Sequence, residues 1–329
     1  MQIEIDRAAE ILRAGGLVAF PTETVYGLGA DATNRTALRR LFAVKRRPSS
    51  HPLIVHLADA SWLARWAREV SDDAHRLARH FWPGPLTLVL RRAQGVPDEV
   101  TGGQDTVGLR VPAHPIAHAL LVSLGGGIAA PSANRFGAVS PTRADHVRAD
   151  LGSDVDLVLD GGPSEVGIES TIVDVSGLRP ALLRPGWITA SAIEAALGAP
   201  LDVAGTGRPR APGTLEAHYA PDTPVEVAPK RDLLSRVRSA RRAAVLAFDP
   251  LDDAIAVAAF RQASRDPAAY AHALYADLRE LDRIGADVIL VEQPPDGLEW
   301  AGVRDRLKRA SHGTARGPAR GSEQPEHDR

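Results

Sequence analysis

Three short apolar runs, each followed by a loop of small hydroxylated residues, limit what this chain can fold into more than any other feature. Residues 17–20, 128–130 and 157–160 have the length and composition of buried strands. Pro21 and Pro131 end the first two runs, since proline has no N–H group for a strand ladder. Ligands in open α/β sheets bind outside the carboxyl ends of strands, so we expect the three loops to converge on one cleft. Their candidate ligand-binding hydroxyls are Thr24, Ser132, Ser140 and Ser170.

Two domains are predicted, because 329 residues exceed the length of one ordinary domain. Residues 1–200 alternate predicted strands and helices and form the first α/β unit. Residues 201–224 are rich in glycine and proline and lack apolar periodicity, which predicts an interdomain linker. Residues 225–310 again alternate strands and helices, which favours a smaller parallel sheet. We expect the polar segment 311–329 to be a disordered tail.

The basic segment from Lys45 to Arg47 lies at the end of a predicted helix and contains the only lysine of the first 229 residues. In a chain that otherwise uses arginine, a lone lysine is consistent with a compact ammonium that contacts phosphate. It is equally consistent with a cation favoured by the dipole at a helix C-terminus. Both interpretations stay open on the residues alone.

Composition and motifs exclude several classes of protein. The chain has no cysteine, which excludes disulfides, thiol nucleophiles and cysteine-based zinc sites. A net charge of −2 disfavours wholesale nucleic-acid binding. The sequence shows neither a signal peptide nor an apolar span of ~20 residues, so we expect a cytoplasmic protein without a membrane contact. A Walker A loop, a dinucleotide glycine fingerprint, HExxH and a GxSxG elbow are also absent from the sequence.

The hydroxylated loops and nearby cations predict a cleft suited to a polyanion such as a nucleoside triphosphate, held by positioning and charge. Simpler explanations exist, because serine and threonine after strands often bond their own backbone and arginines often form surface ion pairs. His51 and His56 fall on opposite faces of an extended segment, so they do not predict a shared metal ion. The candidate cations are Lys45, Arg47, Arg110 and Arg184.

Several long motifs, in a fixed order, resemble the YrdC/Sua family of L-threonylcarbamoyladenylate synthases. The resemblance covers a YrdC-like domain from Ile3 to Leu201 and continues through the linker of the longer, two-domain members. The motifs are PTETVYGLGAD (21–31), KRRPSSHPLIVH (45–56), GLRVP (108–112), APSAN (130–134), GIESTIVD (167–174) and, in the linker, APGTLEAHYAPDTPV (211–225).

The resemblance implies a nucleotidyltransferase that joins L-threonine, bicarbonate and ATP into threonylcarbamoyl-AMP and pyrophosphate. The product is used by separate partner proteins to modify a tRNA adenosine next to the anticodon. The resemblance further implies a twisted mixed sheet with a basic cleft, and a smaller, Rossmann-like C-terminal α/β domain. Mg²⁺ would enter with ATP, no residue is expected to ligate a metal, and we expect a monomer.

Site residues follow from the family motifs position by position. Lys45 and Arg47 would hold the ATP phosphates and carry the catalytic role. His51 stands where members commonly have asparagine. The residues expected at threonine are Thr24, His56, Arg110, Ala130 and Ser170. Those expected at ATP are Lys45, Arg47, His51, Thr106, Ser132, Ser140, Arg184 and Tyr219.

Three other functions compete with this one. One is a paralogue with the same fold but a different acyl acceptor, over which the linker motif HYAP (218–221) favours the two-domain synthase. A related carbamoyl-transfer paralogue would share the domain, although such proteins depend on cysteine-zinc modules that this sequence lacks. An RNA-binding module would use the basic cleft and show steep salt dependence. The aromatic content of 5% offers few stacking platforms for single-stranded RNA.

Overall fold

A nine-stranded sheet organises the first domain. The computed structural model describes residues 2–202, 205, 207–252 and 254–313. The strands of this sheet are β1 (Val18–Phe20), β2 (Gly27–Asp31), β3 (Ile54–His56), β4 (Leu86–Arg91), β5 (Thr106–Arg110), β6 (Ile128–Ala129), β7 (Leu157–Val158), β8 (Thr171–Asp174) and β9 (Ala181–Arg184).

The sheet mixes parallel and antiparallel pairs, as predicted, in the order β7-β1-β2-β6-β3-β5-β4-β8-β9. β3 runs parallel to β5 and β4 runs parallel to β8, whereas β1 and β2 form an antiparallel pair. β2 corrects the interpretation of residues 21–31 as loop throughout. Val18 pairs with Gly29, and an added Cβ at Gly29 would lie 2.7 Å from Ile128, so the glycines of this segment permit close packing inside the sheet.

Helices cover both faces of this sheet. α1 and α6 bury their apolar residues on one face, and α2, α4 and α8 pack on the other. Asn34 begins α2, where its Oδ1 accepts from the backbone N–H groups of Thr36 and Ala37. The helices are α1 (Gln2–Arg13), α2 (Arg35–Lys45), α3 (Leu63–Trp66), α4 (Asp72–Phe81), α5 (Asp98–Thr101), α6 (Pro115–Leu124), α7 (Ala144–Leu151) and α8 (Ala190–Leu197), with 3₁₀ turns at Ala60–Trp62 and Gly152–Asp154.

The second domain is a parallel four-stranded sheet, again as predicted, in the order β10-β13-β11-β12. α9 packs on one face of it, while α10 and α11 pack on the other. Its elements are β10 (Val225–Ala228), α9 (Lys230–Ser239), β11 (Ala243–Ala247), β12 (Ala259–Gln262), α10 (Pro267–Arg283), β13 (Val288–Glu292), a 3₁₀ turn at Leu298–Trp300 and α11 (Ala301–Ser311).

The two domains share an apolar core. Val25, Val139 and Ile168 of the first domain pack in one cluster with side chains of α10 and α11, among them Leu274 and Val303. α10 and α11 therefore face the first domain and stand directly behind its strand-end loops.

The predicted tail begins inside a helix, because α11 continues to Ser311. Residues 314–329, the rest of that predicted tail, lie outside the described residues. Within the described part of the chain, no helix combines the length and apolar character required to cross a bilayer.

Candidate active site

One cavity lies where the strand-end loops of the first domain meet the linker. The space between these segments is about 540 Å³, a volume that includes open solvent at the mouth. Three arginines and one glutamate line it, so the lining is net positive. The lining residues are Thr22, Thr24, Val25, Gly27, Arg47, Ile54, His56, Arg110, Ala130, Pro131, Ser132, Glu169, Ser170, Arg184, Pro212, Gly213, His218 and Tyr219.

Arg110 forms one wall of the cavity at the carboxyl end of β5. Its Nη1 donates to Thr24 Oγ1 (2.9 Å) and its Nε donates to Gly84 O (3.1 Å). Its Nη2 lies 2.7 Å from Glu23 Oε1 in a buried ion pair. The geometry of that pair is not that of a hydrogen bond, so among the described residues Nη2 has no aligned acceptor. A buried guanidinium with a donor to spare is suited to a carboxylate ligand.

His56, at the end of β3, is a neutral imidazole beside this wall. Burial and, as a smaller contribution, the nearby Arg110 cation lower its pKa to about 3. Its Nδ1 is buried and has no hydrogen-bond partner in the described part of the chain. The ring therefore has an unused polar atom at the cavity while carrying no charge at neutral pH.

Arg184 ties the loop before β8 to the linker. Its Nε and Nη2 donate to Ser170 O at 3.2 and 2.8 Å, and its Nη1 donates to Pro212 O at 2.8 Å. Ser170 Oγ also lies 2.8 Å from Thr87 Oγ1. Burial lowers the pKa of Arg184, but an arginine in this setting stays charged. One cation thus holds both rims of the cavity.

Tyr219 closes the cavity from the linker side. It is buried, and it adopts a backbone φ of 60° that few non-glycine residues take. Its ring stacks on Tyr275 of α10 with centroids 5.9 Å apart. The following residue, Ala220, donates its N–H to Gly137 O (2.9 Å), which fastens the linker across the cavity.

Lys45 lies beneath the cavity and does not line it. Its Nζ donates to the carbonyls of Ser132 and Asn134, each at 2.5 Å, so it holds the loop after β6. Burial places the pKa of Lys45 well below its usual value, and the neighbouring Arg47 cation acts in the same direction. Arg47 does line the cavity, where its Nη2 donates to Pro52 O (2.9 Å).

Three other predicted site residues also lie outside the lining. Thr106 begins β5, at the opposite end of the strand from Arg110, and lies beside Arg91 and Asp174 in a different depression. His51 stacks edge-on against Phe136 with ring centroids 5.2 Å apart. A residue four places before Arg110 on a strand is carried away from the strand end, so Thr106 lies outside this cavity, and its contact with the nucleotide stays a prediction.

Ser140 is the remaining residue of this group, and it lies behind the cavity wall. Its Oγ donates to Glu169 Oε1 at 2.5 Å. It therefore reaches the cavity through Glu169 instead of lining it.

Glu169 is the charged residue of the lining that sequence reasoning missed. It is fully enclosed by protein partners: its Oε2 accepts from Arg306 Nε (2.7 Å) and Tyr275 Oη (2.9 Å). Burial by itself would raise its pKa, but the Arg306 and Arg184 cations and these hydrogen bonds outweigh burial and lower it to about 2. The sequence offered one signal for this residue, which is its position next to Ser170 in the GIEST motif.

No group of three or more histidine, aspartate or glutamate side chains within residues 2–202, 205, 207–252 and 254–313 is arranged to hold a metal ion. Of the two carboxylates next to the cavity, Glu169 accepts a hydrogen bond from Arg306. Glu23 lies within ion-pair distance of Arg110, but its two oxygens have no hydrogen-bond partner among the described residues.

The fold and cavity together define a class: a two-domain α/β protein with a basic, hydroxyl-lined cleft at the strand ends of a mixed sheet, covered by the interdomain linker. Residues 10–186 match the family model described as telomere recombination. Residues 188–312 match the model described as threonylcarbamoyl-AMP synthase, C-terminal domain. The chain belongs to the family of two-domain threonylcarbamoyl-AMP synthases, which confirms the predicted family.

Relatives match over nearly the whole chain. A threonylcarbamoyl-AMP synthase from Pyrococcus abyssi is 41% identical over 323 residues, which cover 92% of this chain and 93% of the relative. The Bacillus subtilis synthase is 39% identical over 324 residues, covering 94% and 93%. The structure of P. abyssi Sua5 complexed with L-threonine has a TM-score of 0.88 at 37% identity, covering 95% of each chain. A P. abyssi Sua5 variant with a histidine and a tyrosine replaced by alanine has a TM-score of 0.87 at 37% identity, covering 95% and 94%.

Proposed function

We infer that this protein is a threonylcarbamoyl-AMP synthase, which joins L-threonine, bicarbonate and ATP and releases pyrophosphate and water. The observation that carries the inference is one cavity in which Arg110, Arg184 and Arg47 surround the strand-end hydroxyls. Membership of the two-domain synthase family supports it independently.

Threonine binds at the wall formed by Arg110, Thr24 and His56. The unaligned Nη2 donor of Arg110 receives the substrate carboxylate, beside the hydroxyl of Thr24 that Arg110 already holds. The substrate amine must lose its proton to become nucleophilic. His56 is uncharged beside it and so adds no charge at that position. Ala130 and Ser170 complete this end of the cavity.

ATP binds across the remaining part of the cavity, which is lined by Arg47, Ser132, Arg184 and Tyr219. The guanidinium groups neutralise phosphate charge without proton exchange, because arginine stays protonated. Lys45 acts from below by keeping the Ser132 loop in place.

The reaction needs positioning more than a covalent nucleophile. The threonine nitrogen forms a bond to the bicarbonate carbon, and loss of water then gives the carbamate. A carbamate oxygen then forms a bond to the α-phosphorus, and the bond from that phosphorus to the pyrophosphate oxygen breaks. Cations and hydroxyls held in fixed positions stabilise the charge that develops in such a transfer.

Mg²⁺ accompanies ATP in this proposal and supplies charge neutralisation on the triphosphate. The cavity offers arginines and hydroxyls to the phosphates and leaves metal coordination to phosphate and water oxygens. The partners that consume the product are proteins that transfer the threonylcarbamoyl group to tRNA. The protein acts as a monomer in the cytoplasm, where ATP and tRNA are available.

The test is a reaction with labelled bicarbonate, ATP and purified protein, with and without L-threonine. We expect pyrophosphate that appears only with L-threonine, together with a labelled nucleotide product. Pyrophosphate release that is independent of threonine would refute the proposal. Tight, salt-sensitive RNA binding without turnover would favour the RNA-binding alternative.

A further inference from the structure

The second domain supplies one fully buried charged side chain to the rear of the cavity. Arg306, on α11, has a side-chain exposure of 0%, and its ion pair with Glu169 joins residues 137 positions apart. Its Nη2 also donates to the backbone carbonyl of Glu169 (3.1 Å), and its Nη1 donates to Pro185 O (2.9 Å). A single guanidinium thus fixes both the side chain and the backbone of a cavity-lining residue.

We propose that Arg306 is a positioning residue for the synthase reaction, through which the second domain holds Glu169, Ser170 and Tyr219 in their places around the substrates. This inference rests on the proposed function.

Two consecutive carbonyls carry the argument. Arg306 binds the carbonyl of Glu169, and Arg184 binds the carbonyl of the next residue, Ser170. The segment is therefore held from the second domain on one side and from the first domain on the other. Loss of either arginine removes one of the two guanidinium anchors of this backbone, and a displacement of about 1 Å in positioning groups lowers rates by about 10²-fold.

The same guanidinium supports the linker. Arg306 Cζ lies 5.2 Å from the centroid of the Tyr219 ring. The same ring also stacks on the ring of Tyr275. Tyr275 Oη in turn donates to Glu169 Oε2, the oxygen that Arg306 Nε also contacts. Cavity wall, linker and second domain meet in one hydrogen-bonded cluster.

Lysine and methionine variants of Arg306 test the proposal. Arg306→Lys keeps the charge but cannot bind two acceptors in a fixed fork, and we expect kcat/KM to fall about tenfold. For Arg306→Met we expect a fall of about 10²-fold. Lys308→Met is the matched control, because Lys308 is exposed on the same helix, and it should retain wild-type kcat/KM. Wild-type kcat/KM in Arg306→Lys would overturn the proposal.

A double variant that removes both charges of the Arg306–Glu169 pair distinguishes an effect on positioning from an effect on stability. Arg306→Met removes the cation paired with the buried Glu169 carboxylate, so the melting temperature of this variant should fall, whereas Glu169→Gln with Arg306→Met removes both charges of the pair and should recover it. We expect the double variant to stay at least tenfold below wild type in kcat/KM. Recovery of both stability and kcat/KM would show that Arg306 serves the fold alone and would overturn the proposal.

The pH profile gives a further readout. Arg306, together with Arg184 and the Ser140 hydroxyl, keeps the pKa of Glu169 at about 2 in the wild type, so Glu169 adds no inflection to kcat/KM above pH 5. In Arg306→Met burial raises that pKa, and an acidic limb should appear. A profile unchanged in shape would count against the proposal. The charged and titratable groups facing Glu169 are Arg306 and Asp305 on α11, Tyr275 on α10, Arg184 on β9, and His218 and Tyr219 in the linker.

Hydrogen exchange tests the inference separately from the activity. Linker amides 211–221 should exchange faster in Arg306→Lys than in wild type or Lys308→Met. Unchanged exchange would overturn the positioning role even for a protein without synthase activity. Absence of threonine-dependent pyrophosphate from the wild type, by contrast, would refute the proposed function only.

Discussion

Arg110→Leu is the substitution with the largest effect that the structure allows us to work out. The side chains of Arg110 and Glu23 are 4% and 6% exposed, and Oε1 of Glu23 lies 2.7 Å from Nη2 of Arg110. Removing one partner of a buried ion pair costs about 3–5 kcal/mol, because the other charge remains buried without a partner. For a domain of this size, that corresponds to a decrease in melting temperature of roughly 6–20 °C.

The effect on catalysis follows from the threonine carboxylate. A hydrogen bond to a charged group contributes about 1.5–3 kcal/mol, and Nη2 of Arg110 supplies one such bond. Its loss should lower kcat/KM for threonine by roughly 10- to 10²-fold. Arg110→Lys retains the positive charge beside Glu23, so we expect it to fold and to show a smaller loss, mainly as a raised KM for threonine.

The assays are thermal unfolding and pyrophosphate release at varied threonine concentration. Arg148→Leu is the control, because Arg148 and Asp160 form an ion pair on the same domain with side chains 54% and 55% exposed. We expect it to change stability by at most about 1 kcal/mol and to keep wild-type turnover. A wild-type KM for threonine in Arg110→Lys would refute the assignment of the carboxylate to Arg110.

Three further predictions concern the linker, pH and Lys45. Gly213→Ala should displace the linker and reduce turnover at least tenfold, because the added Cβ would lie 1.9 Å from Tyr219 Oη and 2.8 Å from Arg184 Nη1. The stability should decrease as pH falls below about 6.5, because His56 and His218 have folded pKa values of about 3 and remain neutral while the unfolded chain takes up protons. At pH 5 each histidine should account for ~2 kcal/mol, measurable from denaturant midpoints between pH 8 and 5. Lys45→Met should lower both melting temperature and ATP-dependent turnover, because two buried carbonyls lose their donor.

Each of these has its own control. Gly198→Ala shares the φ of 72° with Gly213 but its Cβ would meet nothing within 4 Å, so it isolates backbone strain and should leave turnover unchanged. Equal turnover in the two alanine variants would remove the steric argument. His56→Gln should reduce the pH slope, because the variant lacks the buried neutral imidazole. A turnover loss confined to KM for threonine in Lys45→Met would contradict its place beneath the Ser132 loop.

Local pattern in the sequence was sufficient for much of the fold. The strand before Pro21, the helix that ends near Lys45 and the parallel sheet of the second domain depend on apolar periodicity and turn residues close together in the chain. β2 was not predicted, because its residues, Gly27–Asp31 (GLGAD), have the composition of a loop. Only its pairing with β1 and β6 makes these residues a strand.

Pairing across the sheet decided which predicted residues meet. Arg110 and His56 end neighbouring parallel strands in matched register, so both reach the cavity. Thr106 lies on the same strand as Arg110 but at its far end, and a residue advances the strand by about 3.3 Å. Lys45 is at the helix end that the sequence indicated, but its direction depends on where the Ser132–Asn134 loop packs.

The sequence by itself determined the family, the order of the two α/β domains and the motifs that carry the hydroxyls and arginines, because these are properties of consecutive residues. Tertiary structure alone decided that Glu169 lines the cavity and that its partner is Arg306, far along the chain on a helix of the other domain. Nothing near Arg306 in the sequence distinguishes it from the other arginines of α11. Its role depends on burial and on a domain interface, which arise only once both domains have folded against each other.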